Sequence, residues 1–344
     1  MDFISLISAN AVSKAIGDLI YKYLYGWVSG WSDSWTVIGA FSVTVIMFTI
    51  FLKVLVFPLD IWQKEVMRRN AKKMEAMKPE LEKIQKQCGS NRELLTQKQR
   101  ELYKKHHYSM FGSCLPMIVT LVVFFIVFGG YNASVSKHTA VTYEALDAVY
   151  TEVYEAPENA TLTEEARVAK AEEAVVEAYE TKYKESFFWV KNIFVADSWA
   201  KPIMSASTAQ KSIDNFNAAR YKAVMAPLIE KYNGGWNGYL ILPVIVLLLN
   251  VASVFLNKQQ QAQQPVAPGQ TEEQQKASQS QQKIMQFIMP VMMFGFALFY
   301  SAAFTLYIAV NMAFTTNINL LYNLITKKKD AAEKDRILST TFKR

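Results

Sequence analysis

Long apolar runs, separated by polar and charged stretches, set the pattern of this chain. A bilayer core about 30 Å thick is crossed by about 20 mostly apolar helical residues, and runs of that length recur along the sequence. We predict five membrane-spanning helices: residues 36–62, 111–131 and 238–257, and two in a hairpin at 284–325. The pattern therefore predicts an all-α polytopic membrane protein.

Residues 1–35 carry shorter apolar stretches with a helical period. From Val12 onward the apolar residues fall largely on one helical face, and Lys14, Asp18 and Lys22 line the opposite face. Asp2 stands where a secretory signal carries basic residues, and no small-residue cleavage site follows. We therefore predict an external amphipathic helix that lies in the membrane interface.

The distribution of charge predicts the orientation of the spans. Residues 63–107 hold 13 Lys and Arg against 6 Asp and Glu, and the tail at 326–344 holds 7 against 3, whereas residues 132–237 hold 11 against 15. Short segments rich in Lys and Arg stay on the cytoplasmic side. The segments at 63–110 and 326–344 are therefore predicted to be cytoplasmic and residues 132–237 external, with the N-terminus outside and the C-terminus inside.

Residues 63–110 predict a helical hairpin, because two helical stretches flank the turn signal CGSN at 88–91. Pro79 is expected to bend or restart the first helix. That helix carries a narrow apolar stripe at helical spacing, which consists of Met67, Met74, Met77, Leu81 and Ile84. The stripe either joins the two helices or captures substrate, since methionine adapts to varied apolar partners.

The other polar segments predict a loop and an external insertion. Residues 258–283 are rich in Gln, contain Pro and Gly, and cannot bury a core, so we predict a flexible cytoplasmic loop. Residues 139–186 are rich in Ala and Glu and predict an acidic insertion of one or two solvated helices. Residues 187–237 are aromatic and are expected to lie against the membrane.

One cation, Lys53, lies inside the first predicted span. A charge at the centre of a spanning helix costs roughly 2.5–3.5 kcal/mol, and Lys53 lies about 16 Å below the basic edge at Lys64. The side chain either extends to the headgroups or faces a water-filled cavity. No acidic partner is found for it inside the apolar runs, which end at residue 59 in the first span, because Asp60 lies seven residues on, toward the cytoplasmic boundary. We therefore expect water, headgroups or an anionic ligand to reach Lys53.

Other polar side chains recur inside the predicted spans. Each one could hydrogen-bond a neighbouring helix, but together with Lys53 they predict a wet groove for substrate. Besides Lys53, the predicted groove residues are Thr49 in the first span, Asn250 and Ser253 in the third, and Tyr307, Asn311, Thr315 and Asn319 at every fourth position of the last.

Nothing in the sequence predicts catalytic chemistry. Cys88 and Cys114 are expected to be free thiols, and His106, His107 and His138 are expected to be solvated or interfacial. The sequence contains no Gly-rich phosphate-binding motif. We expect a protein that is not an enzyme and has no metal site and no cofactor.

Seven segments, in this order, resemble the YidC/Oxa-type membrane protein insertases. The resemblance covers residues 36–131 and 187–325, and the acidic block at 139–186 has no counterpart in it. The segments are KVLVFPLDIWQ (53–63), EAMKPELEKIQKQ (75–87), FGSCLPM (111–117), FFWVKNIFVADSW (187–199), LILPVIVLL (240–248), and IMQFIMPVMM (284–293) followed by TLYIAV (305–310).

The resemblance implies a hydrophilic groove that opens to the cytoplasm and the lipid and is closed on the outside. Lys53 takes the position of a basic residue that is usually arginine, and Thr49 matches a threonine one turn earlier. The last span departs from the family pattern: SAAF (301–304) replaces a turn of small residues, Ile308 replaces an aromatic residue, and Asn311 lies one position before the family's asparagine, at Met312.

The resemblance also implies a function and its partners. It implies an insertase and chaperone in the bacterial inner membrane that passes nascent hydrophobic segments into the lipid bilayer. Nascent membrane proteins, the translating ribosome and the Sec translocon are its expected partners, with no specific nucleic-acid sequence. The basic tail fits ribosomal RNA and anionic lipid equally well.

The residues themselves leave two other classes open. One is a solute transporter, although such proteins commonly show inverted repeats that are not found here. The other is a structural protein that acts through its external acidic block. The absence of a transit peptide before the first apolar helix favours a bacterial membrane.

Overall fold

The fold is all-helical in the part of the chain that the computed structural model describes, namely residues 11–31, 38–88, 91–108, 111–256, 288 and 290–341. The predicted all-α class is therefore confirmed. In these residues only isolated antiparallel bridges form, Ile38 with Phe187 and Phe187 with Val190. The helices are α1 (Ala11–Asp18), α2 (Gly26–Ser29), α3 (Ala40–Cys88), α4 (Arg92–Lys105), α5 (Phe111–Glu155), α6 (Glu164–Ala178), α7 (Ala206–Ala209), α8 (Ala218–Tyr232), α9 (Ile241–Leu256), α10 (Pro290–Phe299) and α11 (Ala302–Thr341).

Two of these helices are long and apolar enough to cross a membrane, α3 and the part of α11 from Ala302 to Lys329. Helices α9 and α10 are apolar but shorter. These statements hold for the described residues alone, and five spans with an external N-terminus stay predictions. The predicted loop at 258–283 lies outside the described residues.

Three long helices join segments that the sequence pattern separates. Helix α3 has 49 residues and continues from the first apolar run into the hairpin. Helix α5 has 45 residues and continues from the second apolar run into the acidic block. Helix α11 has 40 residues and continues from the last apolar run into the basic tail. The expected restart at Pro79 is absent, since α3 runs unbroken through both Pro58 and Pro79. Proline removes one backbone hydrogen bond, and the rest of the helix is long enough to tolerate that loss.

The chain forms two compact units. The first contains Met1–Phe51, Leu121–Ile245 and Phe294–Ile308. The second contains Leu52–Thr120, Val246–Met293 and Ala309–Arg344. Helices α3, α5, α9, α10 and α11 each contribute residues to both units.

In the first unit a buried carboxylate caps the start of α3. The Glu185 side chain accepts a hydrogen bond from the backbone N–H of Phe41 (3.0 Å) and one from the hydroxyl of Tyr25 (2.8 Å). A carboxylate near a helix N-terminus satisfies free N–H groups and interacts favourably with the helix dipole. Gly39 makes room for it, because a Cβ at that position would overlap Glu185 Oε2.

A second buried carboxylate, Asp197, caps the start of α9 in the same way. It accepts hydrogen bonds from the backbone N–H groups of Leu240 (3.0 Å) and Leu242 (2.8 Å) and from the Trp189 indole (3.0 Å). Leu240 has a positive φ of 65°, which is unusual for a residue with a side chain. Two of these three donors belong to the start of α9, so Asp197 holds this strained start in place from a position more than 40 residues earlier in the chain.

The N-terminal segment packs closely on α5. A Cβ at Gly17 would lie 2.7 Å from Ala133 Cβ, and the Ser134 hydroxyl donates to the Gly17 carbonyl (3.3 Å). Lys137 forms an ion pair with Asp18. Part of the segment that was predicted to lie in the membrane interface is thus fixed to the protein by a contact between small residues.

His138 lies in the same region and corrects the expectation of a solvated or interfacial ring. The ring is buried, stacks on Phe194 at a centroid distance of 3.7 Å, and is within hydrogen-bonding distance of the Tyr21 and Thr142 hydroxyls. Burial lowers the pKa of His138 to about 3. It is therefore a neutral packing residue at physiological pH.

The acidic block contributes the end of α5 and helix α6 to a cluster that also contains α8. Its core is rich in tyrosine and aliphatic residues: Tyr143, Leu146, Tyr150, Ala171, Val175, Tyr179, Ile203, Ala209, Ile213, Tyr221, Val224, Met225 and Leu228. Arg220 on α8 donates to Asp147 and Thr151 on α5, both at 2.6 Å. Helix α8, from the stretch that was expected to lie against the membrane, thus completes this core.

In the second unit the end of α3 and helix α4 form a hairpin, in agreement with the pattern at 63–110. The Asn91 side chain caps α4 by accepting from the N–H of Leu94 (3.1 Å). The hairpin core contains Met74, Met77, Leu81, Leu102, Tyr103 and Tyr108, with Ile84 packed against it. Cys88 at the turn is a buried free thiol, and the side chain of Cys114 lies outside the described part of the chain.

Candidate functional site

Lys53 is held on the face of α3 that turns toward α11 in the second unit. Its ammonium group donates a hydrogen bond to the Thr315 hydroxyl at 3.0 Å. The side chain of Lys53 is only 14% exposed, whereas Val54 and Leu55, next to it, are 68% and 64% exposed. Helix α3 therefore has an apolar outer face, as expected of a helix in lipid, and a polar face that carries the lysine.

Asp60 is the ion-pair partner of Lys53, and this corrects the expectation that the lysine has none. The two side chains approach to 3.5 Å between Nζ and Oδ2, and the side chain of Asp60 is 20% exposed. Residues seven apart on a helix differ by only about 20° around its axis and by about 10.5 Å along it. A long lysine side chain and a carboxylate can meet across two turns. That spacing is the sequence signal that could have identified the pair.

A second polar cluster lies closer to the hairpin, between α3 and α11. The Tyr322 hydroxyl donates to Glu65 (3.1 Å), and Lys64 lies 5.8 Å from the centre of the Tyr322 ring. Hydrogen bonds from Arg68 and Arg69 lower the pKa of Glu65 to about 2, so it is ionised at physiological pH. Burial lowers the pKa of Lys64, an effect that Asp60 opposes and Lys53 strengthens. The sequence pattern did not predict this cluster.

The predicted polar stripe of α11 is divided between the two units. Thr315 contacts Lys53 and also donates to the Asn311 carbonyl (2.8 Å), so one hydroxyl serves both helices. Asn319 is buried and Asn311 is half-buried, and both lie in the second unit. Tyr307 lies in the first unit, buried against Tyr131 at a ring-centroid distance of 5.3 Å.

Thr49, Asn250 and Ser253 have other surroundings. Thr49 lies in the first unit, is fully buried, and donates to the Val45 carbonyl of its own helix (2.6 Å). Asn250 is buried and donates to Val246 (2.9 Å), and Ser253 is half-buried. The structure thus brings Lys53 and Thr315 together across two helices, while Thr49 and Asn250 bond to carbonyls of their own helices.

Four of the five residues predicted to capture substrate lie inside the hairpin. Met74, Met77 and Leu81 are buried, and Ile84 is partly buried against them. Met67 is the exposed member, with 39% of its surface accessible. The geometry thus favours the reading in which the stripe joins the two helices, and it leaves Met67 free to contact a partner.

The described residues contain no group of three or more His, Cys, Asp or Glu side chains that could hold a metal ion. The site contains two lysines, two hydroxyls and two carboxylates arranged along α3 and α11. Such a set can bind an anion, exchange ion-pair partners and hold water.

Together these features define a helical membrane protein that carries a cation on the polar face of an apolar helix. The chain belongs to the 60Kd inner membrane protein family, whose profile matches residues 33–330. This finding confirms the resemblance to the YidC/Oxa-type proteins.

Curated relatives agree with this assignment. The chain is 36% identical over 92 residues to the membrane protein insertase YidC of Fusobacterium nucleatum, an alignment that covers 27% of this chain and 43% of the relative. It is 32% identical over 91 residues to that of Caldanaerobacter subterraneus (26% and 42%) and 33% identical over 91 residues to that of a Ruegeria species (26% and 14%). The matched part spans less than half the length of these relatives.

Proposed function

We propose that the chain is a membrane protein insertase that takes nascent hydrophobic segments through a hydrophilic groove into the bilayer and assists their folding. The family membership and the names of the relatives support this function. The observation that carries the mechanism is Lys53, an ammonium group held by Thr315 and Asp60 on an otherwise apolar helix.

A groove lowers the barrier to insertion for a physical reason. The external tail of a substrate must cross about 30 Å of hydrocarbon, where each unsatisfied polar group costs several kcal/mol. A wet polar face that reaches Lys53 from the cytoplasm shortens the dry part of that path. The ammonium group then attracts acidic groups of the tail, and the apolar segment leaves sideways into lipid.

The hairpin of α3 and α4 receives the nascent segment first. Met67 is the exposed residue of its apolar stripe, and Trp62, five residues earlier on α3, is 52% exposed. The remaining stripe residues, Met74, Met77, Leu81 and Ile84, become available only when α4 moves away from α3. Of the other predicted groove residues, Asn250, Ser253, Asn311 and Asn319 lie in the same unit as Lys53 and complete the proposed groove.

The setting of this activity is part of the proposal. The chain crosses the bacterial inner membrane five times, with the N-terminus outside, and works without a cofactor or a catalytic step. The basic hairpin and tail face the cytoplasm, where the translating ribosome and the Sec translocon are the partners.

Reconstitution into liposomes tests the function. A small single-span substrate with an acidic external tail is synthesised in the presence of the wild-type chain or of Lys53→Glu, Lys53→Arg or Lys53→Ala. We expect Lys53→Glu to lower insertion by about ten-fold or more, since it places like charges together in the groove, and Lys53→Arg to restore it. Normal insertion by a stably folded Lys53→Glu chain would remove the charge from the mechanism.

A further inference from the structure

Asp60 lies beside the Lys53 ammonium group, where the proposed mechanism places a carboxylate of the substrate tail. An ammonium group has three N–H donors; Thr315 accepts from Lys53 at 3.0 Å, and Asp60 approaches at 3.5 Å, longer than a good charged hydrogen bond. The ion pair is therefore formed but not tight. An incoming anion could replace Asp60 without first breaking a short, well-formed contact.

Lys64 offers Asp60 a second cationic partner. It lies one turn farther along α3, at the i to i+4 spacing at which an acidic residue followed by a lysine forms a favourable pair. Asp60 and Lys53 both influence the protonation of Lys64, so the three charges lie within interaction range. Asp60 is paired with Lys53 and lies one turn from Lys64, and the three charges together carry one net positive charge.

We propose that Asp60 is an exchangeable counter-ion that neutralises Lys53 between substrates and passes to Lys64 when a substrate carboxylate arrives. The exchange sets how strongly the site prefers acidic tails, because a substrate carboxylate must displace Asp60 from Lys53 and Lys64 then receives the displaced carboxylate. It also keeps the lysine from standing unpaired in an apolar helix, which is costly. This inference rests on the proposed insertase function and names the group that sets its substrate preference.

Insertion of two matched substrates tests the inference. One substrate carries two Asp residues in its short external tail, and the other carries Asn at the same positions. With the wild-type chain limiting, we expect the acidic substrate to insert better. Asp60→Asn should raise the acidic-to-neutral ratio by about three- to ten-fold, because Lys53 is then unneutralised. Lys64→Gln should lower the ratio, because Asp60 loses its alternative partner.

Three controls make the outcome specific. Asp60→Glu should restore a ratio close to that of the wild type, and Asp60→Asn should have no effect when Lys53 is already Gln. Glu165→Gln, the same charge change at an exposed residue of α6, should leave the ratio unchanged. An unchanged ratio in Asp60→Asn, with normal wild-type insertion, would overturn the role of Asp60 and leave the insertase function intact. Failure of the wild-type chain to insert either substrate would count against the function.

A measurement without any substrate tests the charge of Asp60 directly. Lys53→Cys, with Cys88 and Cys114 replaced by Ala, is treated with cationic and anionic methanethiosulfonate reagents. We expect the cationic reagent to react faster, and Asp60→Asn to reduce that preference by about three-fold or more. Equal preference in both backgrounds would show that the carboxylate does not control access of charge to position 53, which would overturn the inference.

Discussion

Glu185 is a buried carboxylate whose ionisation the fold opposes. Burial raises the pKa of Glu185 above its ordinary value of 4.5, and the hydrogen bonds from Phe41 and Tyr25 oppose this shift. A raised folded-state pKa means that the folded chain binds the proton more tightly than the unfolded chain. The contribution of Glu185 to stability is therefore fully present below about pH 4.5 and is lost as the pH rises through the folded pKa.

We predict that Glu185→Gln removes this pH dependence. The amide resembles the protonated acid, so the melting temperature of the wild-type chain relative to Glu185→Gln should fall as the pH rises from 4.5 toward neutrality. Thermal unfolding of the detergent-purified proteins across this range measures the difference. A constant difference would show that Glu185 ionises in the folded state as freely as in water.

Single residues also show how far the sequence could predict the site. Lys53 could be found from the sequence because a lysine inside an apolar run is rare and costly. The position of Asp60 near the predicted boundary argues against a pair, although the seven-residue spacing puts it on the same helical face. The pairing of Glu65 with Tyr322 joins positions 257 residues apart, and no local pattern contains such a contact.

At the scale of elements, the contact between the N-terminal segment and α5 depends on the absence of a side chain at Gly17. We predict that Gly17→Ala destabilises the fold by about 1–3 kcal/mol, because the added methyl group would lie 2.7 Å from Ala133 Cβ. Gly26→Ala is the matched control, since a Cβ there would meet nothing within 4 Å and the residue is helical. It should be neutral or stabilise by up to about 1 kcal/mol. Equal melting temperatures for the two variants would contradict the close packing.

The hairpin allows its structural and functional residues to be separated. We predict that Met77→Ala destabilises the hairpin by about 2–5 kcal/mol, since Met77 is fully buried, and that Met67→Ala has little effect on stability. Hydrogen exchange in α4 measures the stability of the hairpin in both variants. Photo-crosslinking to a nascent chain measures the contact with substrate, and fewer crosslinks are expected for Met67→Ala. A destabilised hairpin in Met67→Ala would show that this residue also belongs to the core.

The helices themselves were largely predictable, whereas their ends were not. Apolar runs gave the correct positions for α3, α5, α9 and α11, because long apolar segments have few alternatives to a helix. The prediction ended each span at the point where the sequence changes from apolar to polar. Polarity does not stop a helix, however. Helix α3 continues past the apolar run even through Pro58 and Pro79, and α5 continues in the same way.

At the scale of the whole molecule, the acidic block packs against a helix of the segment that follows it. After Trp199 the chain forms α7 and α8 and then returns, so that Asp197 caps α9 at a sequence distance of 45 residues to Leu242. Only the three-dimensional structure shows that Asp197 and the start of α9 come together. The sequence could show that the block differs in composition, but not that α8 packs on α5 and α6.

The final prediction concerns the orientation of the whole chain. Single cysteines at Glu82, Glu165 and Lys328, in a chain whose Cys88 and Cys114 are replaced by Ala, are labelled with a membrane-impermeant maleimide. All three positions are exposed. Because basic segments stay inside, intact cells should label only Glu165→Cys, and inverted vesicles should label Glu82→Cys and Lys328→Cys.

A fourth cysteine at Ser278 should label only in inverted vesicles if α9 crosses the membrane. Labelling of Glu82→Cys and Glu165→Cys from the same side would mean that α5 does not cross, and the groove would then have no cytoplasmic entrance beside the hairpin.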